Sequence, residues 1–384
     1  MSASRDTIVR TACLAIAGVL AVGFLVLIGR YYHPGTGFTA LIGFPAGHDY
    51  EAPAMRDVPH FDYTGAGVYD GQYYAQRALD PLARDPRTDR AMDLAPFRAR
   101  RILFSWTAYL LGFGRPAWIL EVYALQNVVA WIVLAVLLAR WMPPTTPRGL
   151  AAWAACLFSH GVLWSTRFAL LDAPSLALTA YAVRLVEQGD DFASALVVGV
   201  NGLGRETNLL GALAQPLPRS WGGWLRLAGF AVLMALPLLL WEDYLRSIYR
   251  SNIFAGVDAQ TSLPGVEFGR ALGETIAHVR TDGLFSGAGT NLCILAPLLV
   301  QAVFLIVSAR RWNESWWRVG IGYVLLLLVL DRVLVTPSTG AITRVMLPLT
   351  VSFNVLLMRE RRRAHFWPWL AAGNLHLIPG WWVL

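Results

Sequence analysis

An acidic and aromatic motif, Tyr69-Asp70-Gly71-Gln72-Tyr73-Tyr74, lies in a polar segment between two long apolar stretches of the chain. A carboxylate shielded by tyrosines can act as a general base, because burial raises its affinity for the proton that it must take. The motif also predicts a short amphipathic helix from Asp70 to Leu79 that ends at Asp80-Pro81. Its apolar face is expected to rest on the membrane. On the plainer interpretation Asp70 is only the N-cap of that helix.

Arginines form the second candidate group, because a guanidinium binds phosphate through two parallel hydrogen bonds. The candidates for an anion clamp are Arg98, Arg101, Arg205 and Arg344. All 32 basic residues of the chain are arginine, so each one has to be argued from its position. The arginines at 98–101 have a plainer interpretation as a solvated face that pairs with Asp89 and Asp93.

Polar residues at predicted membrane depth gather at one end of the helices, where Arg205, Glu206 and Asn208 also interrupt an apolar run. Such groups cost several kcal/mol unless they face a partner or a cavity, and broken helices are tolerated beside a water-filled site. This distribution predicts a polar cavity open to one face, although Arg205 and Glu206 could also be a structural ion pair. The other residues at this end are Glu121, Gln126, Asn127, His160, Arg167, Asp172, Glu242, Asp243, Asp331 and Arg332.

The composition indicates an all-α polytopic membrane protein that forms a single membrane domain over residues 1–384. The chain is 56% hydrophobic and 15% charged, and its mean hydropathy is +0.47. A helix needs about 20 apolar residues to cross a bilayer, and the pattern predicts about 10 to 11 crossings. Long candidates are 11–29, 117–139, 149–165, 171–187, 222–242, 290–309, 316–335 and 341–358, with shorter ones at 192–204, 207–217 and 366–383.

The arginines of the short loops predict a cytoplasmic N-terminus. This orientation sends residues 30–116 to the outer face as a first loop with short interfacial helices, and residues 243–289 as a second loop. Ile102–Phe113 is too short for a crossing, since twelve residues reach only about 18 Å. We therefore expect it to lie in the outer interface, in a helix begun by Pro96 and stopped by Gly112.

The net charge of +7 is explained by arginines beside helix ends rather than by nucleic-acid binding, because no zinc pattern or basic helical stripe is present. Cys13, Cys156 and Cys293 fall inside apolar spans, so no disulfide framework follows. No cluster of carboxylates and histidines has the spacing of a metal site, but the sequence leaves dependence on a divalent metal open. No cofactor is firmly implied.

The motifs resemble the GT-C superfamily of integral membrane glycosyltransferases, particularly bacterial members with a Tyr-Asp-Gly-Gln-aromatic-Tyr motif followed by Arg-x-x-Arg-Ile-Leu. The resemblance spans most of the chain. It rests on Tyr69 to Tyr74, Arg98 and Arg101, Gly204-Arg205-Glu206-Thr207, and Arg344 followed by Pro348.

The resemblance implies an inverting transfer of a hexosyl or pentosyl group from a polyprenyl-phosphate donor to a glycan, lipid or protein acceptor at the periplasmic face of a bacterial inner membrane. By motif position Asp70 is implied as the base, with the arginines near the lipid-linked phosphate. Many members carry the acid nearer the first span, and Asp49 in His48-Asp49-Tyr50-Glu51 is the nearest equivalent, so Asp49 is the alternative. Residues implied to line the site are Tyr69, Gln72, Tyr73, Tyr74, Glu206 and Asn208.

Two other functions are compatible with the pattern. A lipid or glycolipid transporter or flippase also has polar residues at depth and broken helices, but it should show two matching halves, and the sequence has no internal repeat. A catalytically silent subunit of the same fold is the other alternative. Sugar, acceptor, exact lipid carrier and oligomeric state do not follow from the sequence.

Overall fold

The computed structural model describes residues 2–47, 51–64, 69–249, 260–336, 340–360 and 362–383. About 72% of the chain is helical. The strand content of the described residues is one parallel pair, β1 Phe44–Pro45 with β2 Asp62–Tyr63. In the described ranges, 3-10 helix covers Thr39–Leu41, Pro53–Met55, Glu206–Ala214 and Ala309–Arg311.

The α-helices are α1 Ser2–Gly29, α2 Gly71–Leu79, α3 Pro86–Arg90, α4 Ala95–Arg100, α5 Leu103–Leu111, α6 Pro116–Leu138, α7 Pro147–Leu157, α8 His160–Arg167, α9 Asp172–Glu187, α10 Asp191–Gly202, α11 Trp221–Tyr249, α12 Val266–Asp282, α13 Gly287–Val307, α14 Ser315–Val329, α15 Arg332–Val335, α16 Ala341–Val345, α17 Leu347–Leu357, α18 Arg363–Gly373 and α19 Leu377–Gly380.

Four described helices are long and apolar enough to cross a membrane: Asp6–Gly29, Pro116–Leu138, Trp221–Tyr249 and Gly287–Val307. They coincide, within two residues at the end of each helix that falls short, with the predicted spans 11–29, 117–139, 222–242 and 290–309. Only 11% of the apolar window in α11 is buried inside the protein. A face so apolar and so little covered by the rest of the chain is typical of a helix that contacts lipid.

Most other predicted spans are divided into two shorter helices. The stretch 149–165 breaks between α7 and α8, and 341–358 breaks between α16 and α17. The stretch 316–335 breaks where Leu330 leaves the helix and pairs in a bridge with Thr261. The segment 207–217, predicted as a short span, is largely 3-10 helix. The number of crossings therefore stays a prediction.

The predicted helix after Asp70 is present as α2, and it ends at Asp80 as expected. Its predicted position on the membrane surface is wrong, because every residue from Gly71 to Ala78 is buried within the protein. α2 packs against α5 and α6, and the Ser105 hydroxyl donates to the carbonyl of Tyr74. The aromatic residues that suggested a lipid-facing side instead pack inside the chain.

The helix predicted to begin at Pro96 and stop at Gly112 is two helices in the structure. Pro96 lies in the first turn of α4, which ends at Arg100, and α5 begins at Leu103 and is capped at Gly112. Within 243–289, predicted as a loop, the structure has the end of α11 and the seventeen-residue helix α12.

Helix direction separates two ends of the bundle. Arg140, which follows α6, pairs with Glu187 at the end of α9, and Arg359, after α17, pairs with Glu314 before α14. The start of α9, the end of α10 and the start of α17 lie at the other end. We call this other end the site end, and it carries the charged residues described next.

Candidate functional site

A cavity of about 860 Å³ lies at the site end. Its polar lining includes five arginines and two carboxylates. Its aliphatic lining comes mostly from α14, α15, α16 and the connection between α14 and α15. The charged members are Asp70, Arg98, Arg100, Arg101, Arg205, Glu206 and Arg344. The apolar members include Leu94, Phe97, Leu326, Leu330, Val333, Leu334 and Val345. The cavity therefore offers both an anion-binding and a hydrocarbon-binding surface.

Asp70 stands at the backbone N-cap position of α2, but its side chain makes no capping hydrogen bond. Its carboxylate instead accepts a hydrogen bond of 2.8 Å from Arg98, and about a third of the side chain remains exposed. The N-cap interpretation of Asp70 is therefore wrong for its side chain.

The pKa of Asp70 is lower than the ordinary value of 3.8. Burial alone would raise this pKa, but the guanidiniums of Arg98 and Arg344 outweigh it by stabilising the charged form. The expectation that the neighbouring tyrosines leave Asp70 with a raised pKa is not met. Asp70 is ionised at neutral pH.

Arg98 is buried and is shared between two carboxylates. Its Nε and Nη2 donate to Asp93 at 2.9 and 2.7 Å, and Nη2 also donates to Asp70. Nη1 donates to the Tyr74 hydroxyl at 3.2 Å. The pKa of Arg98 is raised, because Tyr74 and the two carboxylates overcome the opposing effect of burial. The predicted pairing with Asp93 is present, but the solvated face is not.

Arg100 and Arg101 continue the same helix end. Arg100 donates to Glu242 of α11 at 2.6 and 3.0 Å, and it lies 3.4 Å from Glu206. Arg101 donates to Glu206 at 3.3 Å, and its guanidinium lies over the Phe97 ring. Both arginines are buried. Glu206 therefore pairs with α4 rather than with its neighbour Arg205.

Asp172 joins two arginines that are far apart in the chain. One carboxylate oxygen accepts from Arg205 at the start of a 3-10 segment, and the other accepts from Arg344 of α16 at 3.0 Å. Arg344 also donates to the Tyr69 hydroxyl at 3.2 Å. This chain of contacts connects the start of α9 with the residue next to Asp70.

Tyr69 lines the cavity and stacks on Phe168, with ring centroids 4.6 Å apart. Glu206, also predicted to line the site, does so, but the other four predicted residues are not part of the lining. Tyr73 and Tyr74 pack against Arg98, Gln72 is fully buried, and Asn208 donates its side-chain amide to Asn201. Asp49, the alternative base, lies outside the described residues.

Several residues of the site were given no role by the sequence. Trp164, Thr207 and Gln260 line the cavity, and Asp172 organises two of its arginines without lining it. Position at the polar end of a predicted helix was the one available signal for Asp172. It did not indicate the residue's partners.

Within the described part of the chain, no group of three or more metal-ligating side chains lies together. No family model, curated protein or solved structure matches this chain. The fold and the cavity define an all-α protein whose described part has four helices able to cross a membrane and an arginine-rich cavity at one end of its helices.

Proposed function

We propose that the chain is an inverting membrane glycosyltransferase of the GT-C type that takes a sugar from a polyprenyl-phosphate-linked donor. The observation that carries the proposal is a single cavity lined by the Asp70 carboxylate, five arginines and a set of aliphatic side chains. A lipid-linked sugar phosphate needs these three kinds of contact: a base for the acceptor, cations for the phosphate and hydrocarbon for the carrier.

Asp70 would accept the proton of the acceptor hydroxyl while its oxygen attacks the anomeric carbon. The bond between that carbon and the phosphate oxygen breaks in the same displacement, which inverts the configuration. The phosphate leaves as an anion and needs no proton, so one carboxylate suffices, whereas glycosidases use a second one to protonate a poor leaving group. The arginines stabilise the charge that builds on the leaving oxygens.

The low pKa of Asp70 is compatible with this role. An ionised carboxylate can accept a proton at neutral pH, but strong pairing with Arg98 makes it a weak base. A phosphate in the cavity would compete for the guanidiniums that now stabilise Asp70. Donor binding would then raise the proton affinity of Asp70 in the complex where the reaction occurs.

The proposed setting is a bacterial inner membrane, with the N-terminus in the cytoplasm, about 10 to 11 crossings and the cavity facing the periplasm. The arginine pairs at the end opposite the cavity support this orientation, because basic residues concentrate on the cytoplasmic side of membrane proteins. The proposed partners are membrane lipids, the lipid-linked donor and a glycan, lipid or protein acceptor.

The test uses the purified full chain in liposomes that contain polyprenyl-phosphate-linked hexoses and pentoses, with a bacterial envelope extract as the source of acceptor. Release of polyprenyl phosphate is followed by mass spectrometry. Asp70→Asn is expected to lower the release by a factor of about 100 or more, the range for removal of a general base. Asp282→Asn, at an exposed carboxylate, is the matched control. Unimpaired release by Asp70→Asn would remove this residue from the catalytic role, and lipid movement without any covalent product would favour transport.

A further inference from the structure

Charge pairing divides the five arginines of the cavity into three sets. Arg98 is paired with two carboxylates, those of Asp70 and Asp93. An incoming anion would have to displace a carboxylate to reach this guanidinium. The set carries an excess of negative charge.

The second set is balanced. Arg100 and Arg101 share Glu206, and Arg100 also holds Glu242 of α11. Two guanidiniums therefore face two carboxylates. Because all four groups are largely buried, their mutual attraction is little screened by water.

The third set alone keeps an excess of positive charge among the described residues. Arg205 and Arg344 form ion pairs with one carboxylate, that of Asp172. Both arginines line the cavity, whereas Asp172 lies behind them with 4% of its side chain exposed.

We infer that Arg205 and Arg344 form the subsite for the anionic head of the ligand, and that Asp172 is a positioning residue that holds the two guanidiniums together. The inference rests on the proposed function for the identity of the ligand, a prenyl phosphate. It assigns the phosphate to two of the four arginines that the sequence offered, and it leaves Arg98 and Arg101 to hold Asp70 and Glu206.

The contacts of Arg344 show why position matters here. Its Nε donates to the carbonyl of Gly340 at 3.3 Å, its Nη1 to Asp172 and its Nη2 to Tyr69. An arginine held at three nitrogens loses little side-chain freedom when an anion binds. Asp172 provides one of these contacts and the only hydrogen bond that the Arg205 side chain makes to another described residue.

Charge and position predict opposite effects for Asp172→Asn. If charge alone mattered, removal of a negative group beside two guanidiniums would tighten the binding of an anion. If Asp172 positions them, the two like charges move apart without their shared carboxylate, and binding weakens. The sign of the change therefore separates the two explanations.

The experiment measures equilibrium binding of farnesyl phosphate to the purified full chain in detergent, with farnesol as the uncharged control ligand. Arg205→Gln and Arg344→Gln are each expected to weaken binding by about tenfold to a hundredfold, the range for lost charge-assisted hydrogen bonds. Arg101→Gln should weaken it by less than about threefold. Farnesol binding should stay unchanged in all three. An equal or larger loss in Arg101→Gln would overturn the assignment.

Asp172→Asn is expected to weaken farnesyl phosphate binding by about tenfold, and Asp172→Glu, which keeps the charge, to recover most of it. Unchanged or tighter binding by Asp172→Asn would overturn the positioning role. If that variant does not stay monodisperse, Arg205→Lys replaces it, since lysine keeps the charge without the planar fork. Loss of affinity then supports positioning, and unchanged affinity overturns it.

Arg226→Gln is the control for the purified chain, because Arg226 pairs with Asp191 at the end opposite the cavity. Binding is measured without sugar transfer, so the binding data can contradict the subsite assignment without contradicting the proposed function. Conversely, phosphate binding in a chain that releases no polyprenyl phosphate would contradict the proposed function and leave the subsite intact.

Discussion

The Asp70 carboxylate lies 2.8 Å from the Arg98 guanidinium, which also holds Asp93 at 2.7 Å. This shared guanidinium connects the start of α2 with the start of α4. It keeps Asp70 charged at the edge of the cavity. The contact has a direct consequence for the pH dependence of any reaction in which Asp70 accepts a proton.

The pKa of Asp70 in the folded chain is below the ordinary value of 3.8. Its ionised form therefore stabilises the folded chain at pH values above the pKa of the unfolded chain, and this stabilisation is lost as the pH falls through the folded pKa. In the proposed reaction, kcat/KM should therefore show no loss from Asp70 protonation until the pH falls below 3.8. Arg98→Gln removes a stabilising cation and should move this acid limb to higher pH. The measurement is kcat/KM against pH for both chains. An identical limb in both would contradict the contribution of Arg98.

Gly71 allows α2 to approach the connection between α8 and α9. A Cβ at this position would lie 2.1 Å from the carbonyl oxygen of Phe168, so Gly71→Ala must displace one of the two backbones. We expect a loss of about 1 to 3 kcal/mol in stability, together with reduced sugar transfer, because Asp70 moves with α2. Thermal unfolding in detergent and the release assay measure these effects.

Gly23→Ala is the matched control, since a Cβ at Gly23 would meet no atom within 4 Å. It lies inside α1, where alanine favours helix more than glycine does, so stability should stay equal or rise. Similar behaviour of the two variants would contradict the close approach at Gly71.

The ion pair between Arg100 and Glu242 joins α4 to the long helix α11, and both side chains are at most 6% exposed. Glu242→Leu leaves the buried Arg100 guanidinium with only Glu206 as a charged partner among the described residues. We expect the free energy of unfolding to fall by about 3 kcal/mol. The double variant that combines Glu242→Leu with Arg100→Met should recover part of the lost stability, because it removes the uncompensated charge. Thermal unfolding of the two variants measures the coupling.

Glu274→Leu is the control for this pair. Glu274 pairs with Arg332, but about half of each side chain is exposed, so removal should change stability by less than about 1 kcal/mol. A loss in Glu274→Leu as large as in Glu242→Leu would contradict the importance of burial.

Membrane orientation is tested by single introduced cysteines. Arg87 is exposed near the cavity end and Arg226 at the opposite end, with side chains 67% and 63% exposed. In intact cells, a membrane-impermeant maleimide should label Arg87→Cys, and Arg226→Cys only after permeabilisation. Native Cys13 and Cys156 are buried, and Cys293 is half-buried in α13, so the unsubstituted chain serves as background. The reverse labelling pattern would overturn the proposed orientation.

The sequence by itself determined the features that depend on local composition. The apolar runs predict helices, and four of the long predicted spans correspond to described helices that are long enough to cross a membrane. Asp80-Pro81, Pro96 and Gly112 mark helix boundaries because their backbone preferences act over one or two residues. The gathering of polar residues at one end also follows from the sequence, since alternating helices bring every second loop to the same face.

Only the tertiary structure decided which charges meet. Asp172 contacts Arg205 and Arg344, which are 33 and 172 positions away, and no periodicity of the chain indicates such partners. The burial of α2 has the same origin, because a helix with an apolar side can pack against lipid or against other helices. The contacts of α2 with α5 and α6 show that the second outcome holds here. Pairing of buried charges depends on distances in space, which local preferences along the chain do not specify.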